Sequence, residues 1–460
     1  MSQETPLYSA LIKEAGRKTI RMHMPGHKGK SLPGFTSADI FQIDFTELTA
    51  TGNLYEGIPP ISDAEILMAR SASAQECFFL TGGSTQGIMT AISIACPLGG
   101  TMITDRGSHR SVWSSMVHMD VHPQYLYAKR LEPWGITGPL SATEIEAALK
   151  KNPQAAAVII TSPTFYGVLS DIRQISQITQ KYQVPLIVDE AHGVHLPFMQ
   201  GYQGAVAQGA ALAIASAHKT LPVLTAGALL FSDARYDARE IRRKASMFGT
   251  SSPSYPVMAS MDAARSFMEA EGGIIYNQIA EQVKEMRREI NARGNFLALE
   301  EKNDLRLDPT RLTINTAVGG LDGYQAAQIL EQKFNIVCEM ADERSVVMII
   351  TCADSFDELN YIAKAIATME KNYRSTVSND KPIDFPLPKL RMTPREAAYA
   401  ARDYMIIKEA AGQIAGEHLS PYPPGIPIVA AGEEITEEHI KYLQGKKYDI
   451  EREIAIIPRS

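Results

Sequence analysis

Four cysteines in 460 residues, none in a Cys-x-x-Cys pair, are too few and too poorly spaced for a disulfide framework or a thiolate metal site. Three of the four (Cys77, Cys96, Cys338, Cys352) lie inside apolar runs, which predicts reduced, buried thiols in a cytosolic protein. No stretch approaches 18 uninterrupted apolar residues, so no membrane span is expected. The opening MSQETPLYSALIKEAGRK has basic residues but no apolar core after them, so no signal peptide is expected either. Basic charge is also short. Lys and Arg number 45 against 52 Asp and Glu, and a net charge of −7 argues against nucleic acid or an anionic membrane as the main partner. Internal repeats and low-complexity segments are missing. What is present, 45% hydrophobic and 21% charged residues, excludes a disordered chain, a collagen-like repeat and a coiled coil. At roughly 150 residues per domain the length suggests about three units. A cytosolic, multidomain enzyme is the expectation.

Short apolar runs alternate with helix-like segments between residues 75 and 232: 77–80, 102–104, 155–161, 184–188, 212–216 and 226–231. Their continuous rather than alternating apolar character predicts strands buried on both faces, hence a mostly parallel sheet in an α/β unit. An Arg-rich stretch (233–244) leads into a long helical region over 255–292. Residues 308–370 read strand, helix, strand, strand, helix, a small α+β module. A polar linker over 372–384 precedes a third unit, with a helix expected over 394–411 and a Pro-rich run at 421–427. The predicted layout is an N-terminal arm (1–30), a large domain (31–255), a linking helix with a small α+β domain (256–371) and a C-terminal α+β domain (385–460).

Asp189 ends the run VPLIVDEAH, and Lys219 follows the next run in ALAIASAHKT. Ligands of parallel sheets bind at the C-terminal strand edge, so both residues should face one crevice. A lysine for a Schiff base and an acid that keeps a pyridine nitrogen protonated are what pyridoxal phosphate requires. Either residue alone reads as ordinary surface lysine or helix cap. A second feature is TGGSTQG (81–87), which turns from a short strand straight into an apolar helix. Small residues at a helix N-terminus offer N–H groups to a phosphate. The pattern is neither GxGxxG nor GxxxxGK[ST], which argues against dinucleotides and nucleoside triphosphates. Ser216 and His218 could add phosphate donors. In DRGSHRS (105–111), His109 could stack on the open face of the pyridine, or be a plain loop histidine.

HMPGHK (23–28), FFLTGGSTQG, DRGSHRS, TSPTFYG (161–167), VDEAHGVH, SAHKTLPVLT and YPPGIP (422–427) occur in order along the whole chain. Together they resemble the bacterial ornithine/lysine/arginine decarboxylases, in the shorter form that lacks an N-terminal wing domain. The resemblance implies a fold-type-I pyridoxal-phosphate enzyme: a transferase-like large domain, a small α+β domain and a C-terminal α+β domain. It implies decarboxylation of arginine, lysine or ornithine to the corresponding amine, in polyamine metabolism. By the same resemblance Lys219 is the Schiff-base lysine, Asp189 the partner of the pyridine nitrogen and His109 the stacking histidine. Ser84, Thr85, Ser216 and His218 are phosphate-site positions, and Ala191 is the small residue behind the ring. His192 lies near the ring hydroxyl or the substrate carboxylate, and the proton returned to Cα comes from His192 or the released Lys219. Thr250 and Ser251, in GTSSPSY (249–255), match a segment that reaches the neighbouring subunit's phosphate, which implies a homodimer or higher homo-oligomer.

Two departures stand out. Gly52–Asn53–Leu54 replaces an acidic pair expected after DFTE, and Ala226 replaces a glutamine after SAHKT. Glu417 is the candidate carboxylate for the distal cation of the substrate, against its reading as a helix-end glutamate. Arg311 could hold a substrate carboxylate, or be an edge-strand arginine. No metal is expected: His192 and His195 form an HxxH pair without HExxH context, and pyridoxal chemistry accounts for His192. Another enzyme of the same fold, an aminotransferase or a C–S lyase, is the alternative.

Overall fold

The computed structural model describes residues 14–30, 40–373, 386–420, 427–445 and 448–458. The Pro-rich run, apart from Pro427, and most of the 372–384 linker lie outside them.

The large unit is built on seven strands: β1 (Glu76–Leu80), β2 (Thr101–Asp105), β3 (His122–Leu126), β4 (Ala155–Thr161), β5 (Leu186–Asp189), β6 (Leu212–Ala215) and β7 (Ala228–Ser232). Their order across the sheet is β1-β7-β6-β5-β4-β2-β3. All run parallel except β7, which is antiparallel to both neighbours. The apolar runs read from the sequence are these strands, and they are buried on both faces because one layer of core lies on each side. Edge strand β3 (HPQYL) was not legible, since its outer residues alternate between exposed and buried. Helix α1 (Gly83–Ala95) follows β1 and α2 (Arg110–His118) follows the β2 loop. A side chain at Gly87 would collide with Leu80 and Ile214, so α1 lies hard against the sheet.

Helices α3 (Tyr255–Phe267) and α4 (Gly273–Arg293) join through a π-helical turn at Met268–Gly272, as the long helical reading expected. They lead to a four-stranded antiparallel sheet: β8 (Leu297–Ala298), β9 (Arg311–Asn315), β10 (Met340–Ala341) and β11 (Ser345–Ile349), in the order β8-β9-β11-β10. Its core joins Leu312, Ile314, Val346 and Met348 to Val283 and Met286 of α4. β9 is an inner strand and Arg311 is buried, which corrects the edge-strand reading. The N-terminal segment Ile20–Met22 pairs in parallel with Ile336–Cys338 and so belongs to this small unit.

The C-terminal unit holds a three-stranded sheet and its own core around Ile407, Leu419, Val429 and Leu443. The helix expected over 394–411 is only Pro394–Tyr399, opened by a Thr393/Glu396 capping box. Asp403–Ile406 is a strand instead, because pairing with Glu453–Ile457 overrides its helix-like pattern.

Candidate active site

Strands β1, β2, β4, β5 and β6 deliver their C-terminal ends to one edge of the large sheet. Asp189 closes β5, in register with Thr161 of β4 and Ile214 of β6. Its Oδ1 accepts the Ala191 N–H at 3.1 Å. Burial pushes its carboxyl up, while the charges of Lys219 and His109 pull it back down. All three groups therefore share one electrostatic environment. Lys219 is half-buried, and desolvation lowers its ammonium pKa against the pull of Asp189. Nζ of Lys219 lies 2.9 Å from Nε2 of His192, and Nδ1 of His192 lies 3.3 Å from Nη2 of Arg311.

His109 caps α2. Its Nδ1 accepts the Ser111 N–H at 3.2 Å, which fixes the ring at the mouth of the β2 loop. That loop is held by Asp105, whose Oδ1 takes the Gly107 N–H at 2.8 Å.

On the far side of Asp189 from His109, the hydroxyls of Thr81 and Ser216 are buried without partners, as is that of Thr161 on the near side. Ser84 and Thr85 occupy the first turn of α1, and no side chain caps that helix. Gly83 there has φ +72°, and its N–H is tied to the Ala226 carbonyl at 3.0 Å. Ala226, the residue in place of glutamine, also has a positive φ of +75°. His218 places Nδ1 3.0 Å from the Gly227 carbonyl, so that nitrogen carries a proton. Unpaired hydroxyls beside an uncapped helix start suit a phosphate, and a buried acid beside a half-buried lysine suits a pyridinium. These residues fit pyridoxal phosphate.

Two groups of expected residues stand apart. Thr250 and Ser251 are exposed, on a loop whose Gly249 packs against Tyr55 and Gln86. Glu417 lines a cavity of about 240 Å³ with Trp113, Ser114 and Val117, and its Oε1 accepts the Ala455 N–H at 3.3 Å. Val117 lies eight residues along α2 from His109, about 12 Å at 1.5 Å per residue. Among the described residues no hydrogen bond or ion pair joins Glu417 to Lys219, Asp189 or His192.

The profile of the Orn/Lys/Arg decarboxylase major domain matches residues 5–305, and that of the C-terminal domain matches residues 379–450. The chain belongs to the Orn/Lys/Arg decarboxylase family. It is a decarboxylase of a basic amino acid. The arginine decarboxylase of Bacillus subtilis (strain 168) is 31% identical over 96% of this chain and 94% of its own length. The constitutive lysine decarboxylase of Escherichia coli (strain K12) is 23% identical over 94% of this chain and 76% of its own. Among solved structures, the lysine decarboxylase LdcF of Francisella novicida superposes with a TM-score of 0.79, covering 98% of this chain and 81% of that one at 18% identity.

Three residues near this group were not singled out from the sequence, although Thr81 opens the TGGSTQG segment. Asp308 is buried, with Oδ1 accepting from Thr310 Oγ1 at 2.9 Å and 3.2 Å from Nε2 of His195. Glu339 is half-buried, takes the Met24 N–H at 2.8 Å, and its charge reaches both Lys219 and Arg311. Thr81 supplies the third free hydroxyl. Only a small polar residue at a strand end marked any of them, and that signal is too common to single one out.

Proposed function

We propose that this decarboxylase removes the α-carboxylate of arginine as carbon dioxide, with pyridoxal phosphate joined to Lys219, in a cytoplasmic homodimer. The observation that carries the reading is the convergence of Lys219, Asp189 and His109 on one strand edge beside unpaired hydroxyls. Pyridoxal phosphate, when bound, supplies a sink for the electron pair left at Cα. Asp189 keeps a proton on its pyridine nitrogen, His109 covers one ring face, and Ala191 leaves room behind the other. Ser84, Thr85, Ser216 and His218, with Thr81, hold the phosphate, and His192 sits beside the reacting amine.

Arginine is favoured over lysine by the relatives. Four relatives named arginine decarboxylase match at 28–31% identity across 92–97% of their own lengths. Those named lysine decarboxylases stand at 22–23% and are matched over 73–76% of theirs. We assign the distal cation to Glu339, whose charge is felt at Lys219, in preference to Glu417. The homodimer is supported by apolar side chains left exposed at Phe45, Leu48, Ile66, Leu67 and Met247, the last of them three residues before Thr250. That loop we assign to the partner subunit's phosphate. The domain limits we adopt are an arm to residue 30, a large domain to 255, a small domain to 371 and a C-terminal domain from 385.

The test is a panel of arginine, lysine and ornithine with measured carbon dioxide and identified amine. Agmatine from arginine at the highest kcat/KM is expected. Turnover that consumes a keto acid, with no carbon dioxide, would overturn the assignment.

A further inference from the structure

We propose that Arg311, held by Asp308, fixes His192 as a neutral imidazole with its proton on Nε2, so that Lys219 and not His192 returns the proton to Cα. The inference rests on the proposed role of Lys219 and assigns one step within it.

The argument starts from donors and acceptors. A guanidinium only donates, so the 3.3 Å contact from Nη2 of Arg311 makes Nδ1 of His192 the acceptor. The proton of a neutral imidazole then sits on Nε2. That nitrogen is 2.9 Å from Nζ of Lys219, which must accept there with its lone pair as a neutral amine. Protonating His192 on Nδ1 would break its bond to Arg311 and set two cations against each other. Burial first opposes an imidazolium at His192, and the charges of Lys219, Arg311, His109 and His218 add to it. The ring edge of Phe165, with centroids 5.2 Å apart, closes another side.

Arg311 cannot swing away easily. Oδ2 of Asp308 lies 3.9 Å from its Nη2 in a fully buried pair. Oδ1 of Asp308 is engaged by the N–H and hydroxyl of Thr310, both at 2.9 Å, and by His195. Nη2 of Arg287 bonds the carbonyls of both Asp308 and Arg311. The backbone of Arg311 is thus fixed and Asp308 supplies its counter-charge, while Nε and Nη1 of the guanidinium are buried without partners.

The chemistry follows. Departure of carbon dioxide leaves the bonding pair at Cα, and a new C–H bond needs one proton per turnover. Neutral His192 could give its Nε2 proton only by becoming an imidazolate, which is inaccessible near neutral pH. A charged Lys219 finds no acceptor on His192, so its proton stays transferable. Giving that proton to Cα returns Lys219 to the neutral amine, and solvent restores the proton consumed.

The test uses the full-length enzyme labelled with ¹⁵N-histidine, with and without pyridoxal phosphate, followed by NMR from roughly pH 5 to 8. The His192 signal is identified by its loss in His192→Gln. The expected result is a bare Nδ1, a protonated Nε2 and no titration in that range. Arg311→Met should make His192 titrate. An imidazolium, or a proton on Nδ1, in the unmutated enzyme would sink the inference. In kinetics, His192→Gln, which can still accept from Arg311 and donate to Lys219, should keep at least about tenfold more kcat than His192→Leu. If His192 were the proton source, both would fall together by roughly 10²–10⁴. The NMR readout does not depend on turnover. Absence of carbon dioxide therefore refutes the proposed function, whereas a titrating His192 refutes this inference.

Discussion

Arg106 and Glu433 form a buried, two-pronged ion pair, at 2.7 and 2.8 Å, between the loop that carries His109 and the C-terminal unit. The guanidinium also lies against the rings of Trp113 and Tyr125, 5.1 and 5.0 Å from their centroids. Its Nη2 also reaches the carbonyls of Pro427 and Ile428. Breaking such a pair leaves one charge buried and unpaired, at a cost of about 3–5 kcal/mol. Glu433→Gln should lower the unfolding temperature and also reduce kcat, because Arg106 is three residues from His109. Thermal unfolding with parallel kinetics checks this, and an unchanged melting curve would refute it.

Asp189→Asn should keep the local backbone, since the amide oxygen can still accept the Ala191 N–H. Pyridoxal phosphate should remain bound, while kcat falls by about two orders of magnitude, roughly 2.7 kcal/mol of barrier. Cofactor absorbance and turnover, measured on one preparation, separate the two effects. Full turnover would remove Asp189 from the reaction.

Glu339→Gln should raise KM for the preferred basic substrate by about tenfold with a small change in kcat, the pattern of lost uniform binding. Glu417→Gln is the comparison. A rise in KM confined to the Glu417 variant would give the distal cation back to that residue, acting from the partner subunit.

Glu190 lies buried beside Asp189, with the Ala205 N–H at its carboxylate, and burial pushes it up to about 8. Between about pH 4.5 and 8 the folded chain therefore holds a proton that the unfolded chain has released. Stability should fall as pH rises across that window, by up to about 1.4 kcal/mol per pH unit. Glu190→Gln should flatten this slope. Denaturant midpoints at pH 5, 6, 7 and 8 provide the measurement, and parallel slopes would contradict it.

The strands of the large sheet were legible because burial on both faces writes an unbroken apolar run, and Asp189 and Lys219 were legible because one ends such a run and the other follows the next. Edge strand β3 was not, since half its residues face solvent. The strand at Asp403–Ile406 was hidden because its partner, Glu453–Ile457, lies far along the chain. The same distance concealed Asp308, whose partner His195 is 113 positions away and sits in a different unit. Sequence spacing cannot announce a contact that only the packing of two sheets creates. Arg311 was visible as a candidate, but its two readings could be separated only by finding its strand inside the sheet.

The stretch 23–28 reaches across the cleft between the two sheets. Gly26 donates its N–H to the His218 carbonyl at 2.8 Å and accepts from Thr351 Oγ1, also at 2.8 Å, while Lys28 bonds the Ile349 carbonyl at 2.7 Å. Any side chain at Gly26 would strike the Leu221 carbonyl, so the approach admits glycine alone. In mechanical terms this stretch is a strut. The backbone beside Lys219 and the strand paired with that of Arg311 are pinned to the same few residues, so a swing of the small unit pulls on the amine's own loop. The spacing between the lysine and the arginine is therefore set by the arm as much as by either sheet.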